Sequence, residues 1–409
     1  MSATSAARVD GWRQRFANRP EWERLDFHPE EYADRQARVR AVMEDAGCDV
    51  LLIIEPKNIN WLIGFRAKSY QEFQCLVFPL EDEPLTIICR MAEVAELTDL
   101  TLADEVRGWS GREPGDPVDV LSDVLRERGH LTRRVGVECP YYYLSAQDHA
   151  KITALLGDAY ALDATSLIEP LKLVKSPAEL ALIRRAAGIA DRGMHAAVLA
   201  IREGASEFDV AAALYHSLLS NGSDLPASPV NFMSGDRTCY GHGAATERRL
   251  RRGDPMHLEY GAAYHRYTST IGRNLSLGEP SPRHRELHDI NRAACDALIA
   301  AVRPGISSEV PHLEAKRVIA EAGLDAGRVH TSGYGIAPGF PPSYGESIHF
   351  HSGYPYSPAE LREGMVMTIE PPIFLHAERL GVRLLDNLVV TADGAELLST
   401  YPRDLLVVG

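Results

Sequence analysis

A carboxylate in a predicted hairpin and a histidine between two glycines are the residues whose types could do chemistry. Glu259 lies in HLEYGAAYHRYTSTIGR (257–273), which follows the turn pair Gly253 and Asp254, and His242 lies in YGHG. A histidine can move a proton near neutral pH, and a carboxylate can act as a base or a nucleophile. These types point to acid–base chemistry, although a glycine-flanked histidine taken alone is more typical of a structural turn.

The first part of the chain alternates helical and strand patterns. Apolar residues at near-helical spacing predict a helix over 30–46, and the apolar run DVLLII (49–54) predicts a buried strand. A helix over 116–127 and a strand over 133–138 continue the alternation. Strands that alternate with helices favour an α/β domain around a central sheet. We predict that this domain spans residues 1–170.

A long amphipathic helix opens the second part of the chain. Ser176 can cap it, Pro177 suits its first turn, and Glu179 completes a capping box. Apolar residues then recur at three- and four-residue steps up to Ile201. Strand-like runs separated by Gly and Pro follow, with further helical stretches between them. We predict a second domain over 171–409, in which helices pack on a mostly antiparallel sheet.

Composition excludes several classes of protein. The 409 residues carry a formal net charge of −14, from 43 Lys and Arg against 57 Asp and Glu. This acidic excess argues against a nucleic-acid partner, since binding phosphates requires a basic surface. No apolar run is long enough for a membrane span, and the N-terminal residues lack a signal-peptide core. The six cysteines form no CxxC pair, and four of them lie in or near apolar runs, which favours buried thiols in a reduced compartment. We therefore expect a cytoplasmic protein.

Several motifs, in their order along the chain, resemble the methionine aminopeptidase, prolidase and creatinase superfamily. They are NINWLIGF (58–65), KSPAELALIRRA, SGDRTCYGHG (234–243), LREGMVMTIEPP (361–372) and GVRLLDNLVVT (381–391). The resemblance runs from about residue 30 to the C-terminus and favours the two-domain prolidase and creatinase branch. It implies an α/β N-terminal domain and an α+β C-terminal domain of the pita-bread fold, with helices on a curved, mainly antiparallel sheet.

The resemblance also implies a changed metal site. Metallopeptidases of this family hold two divalent metal ions with two Asp, one His and two Glu. The corresponding positions in this chain are Glu259, Thr270, Tyr334, Glu370 and Leu385. A dinuclear site needs several anionic or imidazole donors, and only two carboxylates remain. We therefore expect no metal and no other cofactor.

Metal-free relatives supply the functional expectation. The chain is similar to creatinase, which acts on a guanidinium compound, and to ectoine hydrolase, which acts on a cyclic amidine. Two carboxylates that face one cavity without a metal need a proton or a positive partner, and a cationic substrate would be such a partner. We predict a metal-independent hydrolase that cleaves a C–N bond of a small cationic amidine or guanidine. The alternatives are an Xaa-Pro metallopeptidase and a non-enzymatic pita-bread binding protein.

Roles for individual residues follow from the same resemblance. Glu259 is the predicted nucleophile or general base, and His242 is the acid that protonates the leaving nitrogen. We expect Glu370 and Glu346 to hold the cationic head of the substrate. We expect Tyr334 to donate a hydrogen bond to the developing oxyanion or tetrahedral centre.

A loop of the first domain is a further candidate for substrate binding. Arg66 and Tyr70 lie in FRAKSYQEFQ, and related dimers close the pocket with N-terminal loops. We therefore predict a homodimer in which these two residues reach the partner's site. A solvated loop without such a role is the alternative.

Overall fold

The computed structural model describes residues 3–226, 228–352 and 358–409. Its contacts divide the chain into two units, Met1–Lys172 and Leu173–Gly409. The first unit has α/β architecture and the second has α+β architecture, which confirms the predicted fold class. Among the described residues, no helix combines the length and the apolar character required to cross a membrane.

The first unit combines one mixed sheet with helices. Its helices are Ala3–Ala17 (α1), Pro29–Ala46 (α2), Pro56–Ile63 (α3), Val94–Leu100 (α4), Pro117–Glu127 (α5), Ala146–Leu156 (α6) and Glu169–Lys172 (α7). Its strands are Val50–Ile53 (β1), Cys75–Pro79 (β2), Thr86–Arg90 (β3), Glu105–Trp109 (β4), Val135–Val137 (β5) and Tyr160–Asp163 (β6).

The sheet of the first unit is built around β1. The strand order is β4-β3-β2-β1-β5-β6, in which β1 pairs in parallel with β5 and antiparallel with β2. All four residues of β1 are buried, as is typical of a strand covered on both faces. The strand predicted from the apolar run 49–54 and the helix predicted over 30–46 are both confirmed.

The second unit carries four long helices and a large, mainly antiparallel sheet within its described residues. Its helices are Pro177–Ala200 (α8), Glu207–Ser220 (α9), Pro282–Ala301 (α10) and Glu309–Glu321 (α11). Its strands are Asn231–Ser234 (β7), Pro255–Tyr264 (β8), Tyr267–Leu277 (β9), Tyr334–Phe340 (β10), Ser343–His349 (β11), Val366–Ile369 (β12), Ile373–Leu375 (β13), Leu380–Val382 (β14), Asp386–Thr391 (β15), Gly394–Leu397 (β16) and Leu406–Val408 (β17).

The start of α8 shows how local sequence sets an element. The Ser176 hydroxyl accepts a hydrogen bond from the Glu179 backbone N–H, and the Glu179 carboxylate accepts one from the Ser176 backbone N–H. Pro177 occupies the first turn, where its missing N–H costs nothing. The predicted capping box is therefore confirmed.

The sheet of the second unit packs against helices on one face. The path runs β16-β15-β12-β10-β9-β8-β7. Along β8, Met256 and Leu258 pack into the core with α8 and α9. Because side chains alternate between the two faces of a strand, His257 and Glu259 point to the opposite face. That face holds most of the residues singled out in the second half of the sequence.

Candidate active site

The β8–β9 hairpin places Glu259 and Thr270 on the same face of the sheet. Glu259 pairs with Gly272, and Gly261 pairs with Thr270 two residues away. The connecting residues His265 and Arg266 both have positive φ, 50° and 71°, as tight hairpin turns require. The Thr270 hydroxyl accepts a hydrogen bond of 2.9 Å from Asn387, so it is engaged within the sheet.

Leu385 fills the position of the last family ligand with an apolar side chain. It exchanges backbone hydrogen bonds of 2.8 and 3.1 Å with Gly272 and is buried. A Cβ atom added at Gly272 would lie 2.8 Å from the Leu385 Cβ and 3.5 Å from the Glu259 Cβ. Gly272 therefore lets Leu385 approach closely to the β8–β9 hairpin that carries Glu259.

Arg383 places a fixed positive charge between the two remaining carboxylates. Its side chain is fully buried, its Nη2 pairs with Oε2 of Glu259, and its Nη1 lies 3.6 Å from Oε2 of Glu370. Its backbone N–H donates to Asn274 at 2.9 Å, which helps to fix it in place. The positive partner expected from a substrate is therefore supplied by the chain itself.

The charge state of Glu370 is set mainly by its surroundings. Burial, reinforced by the nearby charge of Glu259 and opposed by Arg383, raises the pKa of Glu370 to about 8. A carboxyl group with that pKa carries its proton at neutral pH. Of the two carboxyl groups, Glu370 is thus the protonated one, and Glu259 is the one whose oxygen pairs with Nη2 of Arg383.

Two histidines lie at the more open side of this pair. His242 is exposed, and its ring meets the ring of His330 at 5.5 Å in an edge-on arrangement. Partial burial and then Arg383 lower the pKa of His242, against the opposing effect of Glu259. Burial and Arg383 lower the pKa of His330 to about 4. Both imidazoles are therefore neutral near pH 7, so neither is present as an imidazolium acid at that pH.

His330 is a site residue that the sequence analysis missed. Its Nδ1 lies 3.3 Å from the Thr331 carbonyl and 3.8 Å from Oε1 of Glu370. Since a carbonyl oxygen only accepts, Nδ1 carries the proton and Nε2 keeps the basic lone pair. Its place four residues before Tyr334, in the segment HTSGYG, is the signal that could have found it.

Two tyrosine hydroxyls complete the polar lining. Tyr334 and Tyr344 share a hydrogen bond of 2.7 Å between their hydroxyl oxygens. Burial and the nearby Glu370 raise the pKa of Tyr344 to about 12 and that of Tyr334 well above its usual range. Both hydroxyls remain protonated. Their mutual hydrogen bond uses only one of the two hydroxyl protons. The placement of Tyr334 fits a hydrogen-bond donor.

Glu346 does not have the role expected for it. Both of its carboxylate oxygens accept from Lys175 Nζ, at 2.8 and 3.0 Å, and both side chains are almost fully buried. A carboxylate already paired with a buried ammonium has no unbalanced charge left for a cationic substrate. The assignment of Glu346 to a cationic head is therefore revised to a structural ion pair.

Arg66 and Tyr70 lie in the first unit. Arg66 pairs with Asp26 at 3.3 Å, and the Tyr70 ring meets Tyr143 edge-on at 6.3 Å. Their expected reach into a partner's site stays a prediction.

The donor set does not fit a dinuclear metal centre. Thr270 and Tyr334 offer neutral oxygens, Leu385 offers none, and the Arg383 guanidinium lies where it would repel a divalent cation. Across the described parts of the chain, no group of three or more His, Cys, Asp or Glu side chains is arranged to hold a metal ion. Such a centre needs several anionic or imidazole donors to offset metal desolvation.

Comparison with known proteins gives the family. The model of metallopeptidase family M24 matches residues 181–392, and that of the creatinase/prolidase N-terminal domain matches residues 35–174. The Xaa-Pro dipeptidase of Pyrococcus furiosus is 33% identical over 70% of this chain and 78% of its own length. The probable dipeptidase PepE of Mycobacterium tuberculosis is 31% identical over 93% of this chain and 98% of its own.

A solved structure agrees with these matches. The dipeptidase PepE of Mycobacterium ulcerans superposes with a TM-score of 0.79 at 28% identity, covering 93% of this chain and 99% of that one. The pita-bread architecture expected from the sequence is confirmed by this likeness together with the family matches. Membership of a hydrolase family supports hydrolytic activity. The chain belongs to metallopeptidase family M24 and carries the creatinase/prolidase N-terminal domain.

Proposed function

We propose that this protein hydrolyses a C–N bond of a small molecule without a dinuclear metal centre. The observation that carries the proposal is the buried Arg383 guanidinium between Glu259 and Glu370. In the family resemblance these two carboxylates are metal ligands, and here a permanent organic cation stands between them. A guanidinium can hold two carboxyl groups in place, but it cannot polarise a water molecule as a metal ion does.

Acid–base catalysis then falls to the side chains. Water attacks the electrophilic carbon and gives its proton to a base, either the neutral imidazole of His242 or the carboxylate of Glu259. Glu370 supplies the proton that the leaving nitrogen takes up as the C–N bond breaks. Tyr334 donates a hydrogen bond to the atom that gains negative charge. This exchanges the acid role first assigned to His242 for a base role, because the pKa of His242 is lowered and that of Glu370 is raised.

An uncharged amide-type bond is the substrate class that we favour. Arg383 balances Glu259 and Lys175 balances Glu346, so the site does not require a cation to offset its carboxylates. The relatives named as dipeptidases, one of them an Xaa-Pro dipeptidase, support a peptide-like bond. An Xaa-Pro dipeptide is therefore the first candidate substrate.

A cationic amidine or guanidine is the second candidate. Glu370 could release its proton to such a cation and pair with it, since carboxylates bind planar cations well. Creatine-like and ectoine-like compounds belong to this class.

One experiment separates these possibilities. Metal-stripped protein in chelator is incubated with Xaa-Pro dipeptides, lactams, amidines and guanidines, and the products are read by mass spectrometry. Turnover of any of them in chelator supports metal-independent hydrolysis and identifies the substrate class. Turnover of an Xaa-Pro dipeptide only after manganese or cobalt is added would overturn the proposal in favour of a metallopeptidase.

A substitution tests the role of the carboxylate directly. Glu259→Gln keeps the size of the side chain and removes its charge and basicity. Turnover should be abolished while the chain stays folded, as checked by circular dichroism. Activity equal to that of the unsubstituted protein would contradict the mechanism.

A further inference from the structure

His257 is a fully buried histidine directly beside the site. It lies on β8 two residues before Glu259, on the same face of the strand, and its exposed surface is zero. Its Nε2 lies 3.5 Å from Oε2 of Glu259, and its ring meets that of Phe374 at 6.5 Å. Among the described residues, neither ring nitrogen has a hydrogen-bond partner.

A buried imidazole without hydrogen-bond partners costs stability. Its neighbours on the other face, Met256 and Leu258, are apolar, and an apolar residue would satisfy a buried position at 257 equally well. Burial and then Arg383 lower the pKa of His257 well below its usual range, so the ring is neutral. A neutral imidazole offers one N–H donor, and a carboxylate oxygen can only accept. The nitrogen that faces Glu259 is thus suited to be the donor.

The contacts of Glu259 show what this donor can do. Arg383 pairs with Oε2, and the Asn231 side-chain amide donates to Oε1 at 3.3 Å. His257 approaches Oε2 at a distance just beyond a formed hydrogen bond, and such bonds are often long without substrate and tighten during the reaction. Three side chains from different places in the sequence therefore surround one carboxylate.

We propose that His257 is a positioning residue that donates a hydrogen bond from Nε2 to Oε2 of Glu259. Together with Arg383 and Asn231 it holds the carboxylate in the orientation that accepts the proton of the attacking water. This inference rests on the proposed function, in which Glu259 accepts the proton of the attacking water.

The chain offers a matched control for the test. His284 on α10 is also buried, and neither of its ring nitrogens has a hydrogen-bond partner within the described residues. It is not one of the site residues. His257→Phe and His284→Phe therefore remove the same kind of unsatisfied group, one beside Glu259 and one away from it.

The first measurement compares stability with turnover. Both Phe variants should keep or raise Tm, because an apolar ring replaces an unsatisfied one. With the substrate that the chelator panel identifies, His257→Phe should lower kcat at least about tenfold with little change in KM, whereas His284→Phe leaves both unchanged. His257→Gln, whose amide can donate over a similar reach, should recover part of the lost kcat. Unchanged kcat in His257→Phe would overturn the proposal.

A second measurement does not need turnover. The unfolding free energies of His257→Phe, Glu259→Gln and the double variant form a cycle, and non-additive effects report the contact between the two side chains. Additive effects would overturn the proposal. If no substrate is turned over in chelator, the proposed function fails, and this cycle still decides whether His257 is coupled to Glu259.

Discussion

Two buried guanidinium–carboxylate clusters lie on opposite sides of the segment VRLLDN. On one side Arg383 contacts Glu259 and Glu370, and on the other Asp386 accepts from Arg273 at 2.8 Å and pairs with Arg403 at 3.1 Å. We call the first the site cluster and the second the anchor cluster.

The central arginines of the two clusters, Arg273 and Arg383, differ in how completely their hydrogen bonds are made. Arg273 donates to Asp386 and to four backbone carbonyls, those of Pro402, Gly272, Leu385 and Tyr401. In the site cluster, Nε and Nη1 of Arg383 and Oε1 of Glu370 have no hydrogen-bond partner among the described residues. The anchor cluster also has buried atoms without a hydrogen bond, Oδ2 of Asp386 and Nε and Nη2 of Arg403, but none of them belongs to Arg273. Well-satisfied buried charges stabilise a fold, and under-satisfied ones are typical of a site where groups must change partners. We therefore expect Arg273 to act in stability and Arg383 to act in the chemistry as well.

The largest expected effect is on the anchor cluster. Arg273→Met removes five donated hydrogen bonds and leaves Asp386 with a single positive partner. The loss of one partner from a buried ion pair costs about 3–5 kcal/mol of unfolding free energy, and the unmet carbonyls add to it. Chemical denaturation should show this loss from pH 5 to pH 8. A variant as stable as the unsubstituted protein would refute the structural role of this cluster.

Arg383→Met should give a smaller and pH-dependent loss of stability. It leaves Glu259 and Glu370 buried without their cation, so stability at pH 8 should fall by about 3 kcal/mol. Much of this loss should disappear at pH 5, where the carboxyl groups can take up protons. Turnover should fall by about 10²–10³-fold, as when one preorganised charged group is removed. A loss that is equal at both pH values would contradict the difference drawn between the clusters.

Glu370→Gln tests the proton assigned to the site cluster. The pKa of Glu370 is raised from 4.5 to about 8, so between these values the folded state holds a proton that the unfolded chain has lost. The stability of the unsubstituted protein should therefore fall with rising pH, by at most about 1.4 kcal/mol per pH unit from this group. The Gln variant should lack this slope and lose about 10²-fold in kcat. Glu378→Gln, at an exposed ion pair with Arg283, is the control that keeps the slope.

Tyr344→Phe should have the smallest effect. It removes one half-buried hydroxyl and its hydrogen bond to Tyr334, which is worth about 1 kcal/mol. Turnover should fall only a few-fold, because Tyr334 keeps its own proton. A loss of kcat as large as that of Glu370→Gln would move the main proton donor from Glu370 to the tyrosine pair.

The sequence predicted the fold more fully than it predicted the site. Capping residues and apolar spacing are local signals, so α8 and β1 could be placed from them. The altered ligand positions 259, 270 and 385 were also recognisable, and the structure brings them to one face of the sheet. The partners of these residues depend on side-chain directions that a motif does not carry.

Three side chains illustrate which contacts could not be read from the motifs. Arg383 is two residues before Leu385, His257 is two before Glu259, and strand alternation could have placed each beside its neighbour. The pairing of Glu346 with Lys175 joins positions 171 residues apart, and no local sequence pattern predicts it. We expected a cationic substrate because the sequence does not show that Arg383 contacts Glu259 and that Lys175 contacts Glu346.

Because Glu370 carries a proton, the affinity for a cationic ligand should depend on pH. A cation that pairs with the Glu370 carboxylate must expel that proton, so its affinity should rise about tenfold for each pH unit up to about pH 8. The heat of such binding would also change with the ionisation enthalpy of the buffer. An uncharged amide expels nothing, and its affinity would be flat over the same range. Calorimetry in two buffers can thus assign the charge of the natural ligand before its structure is known.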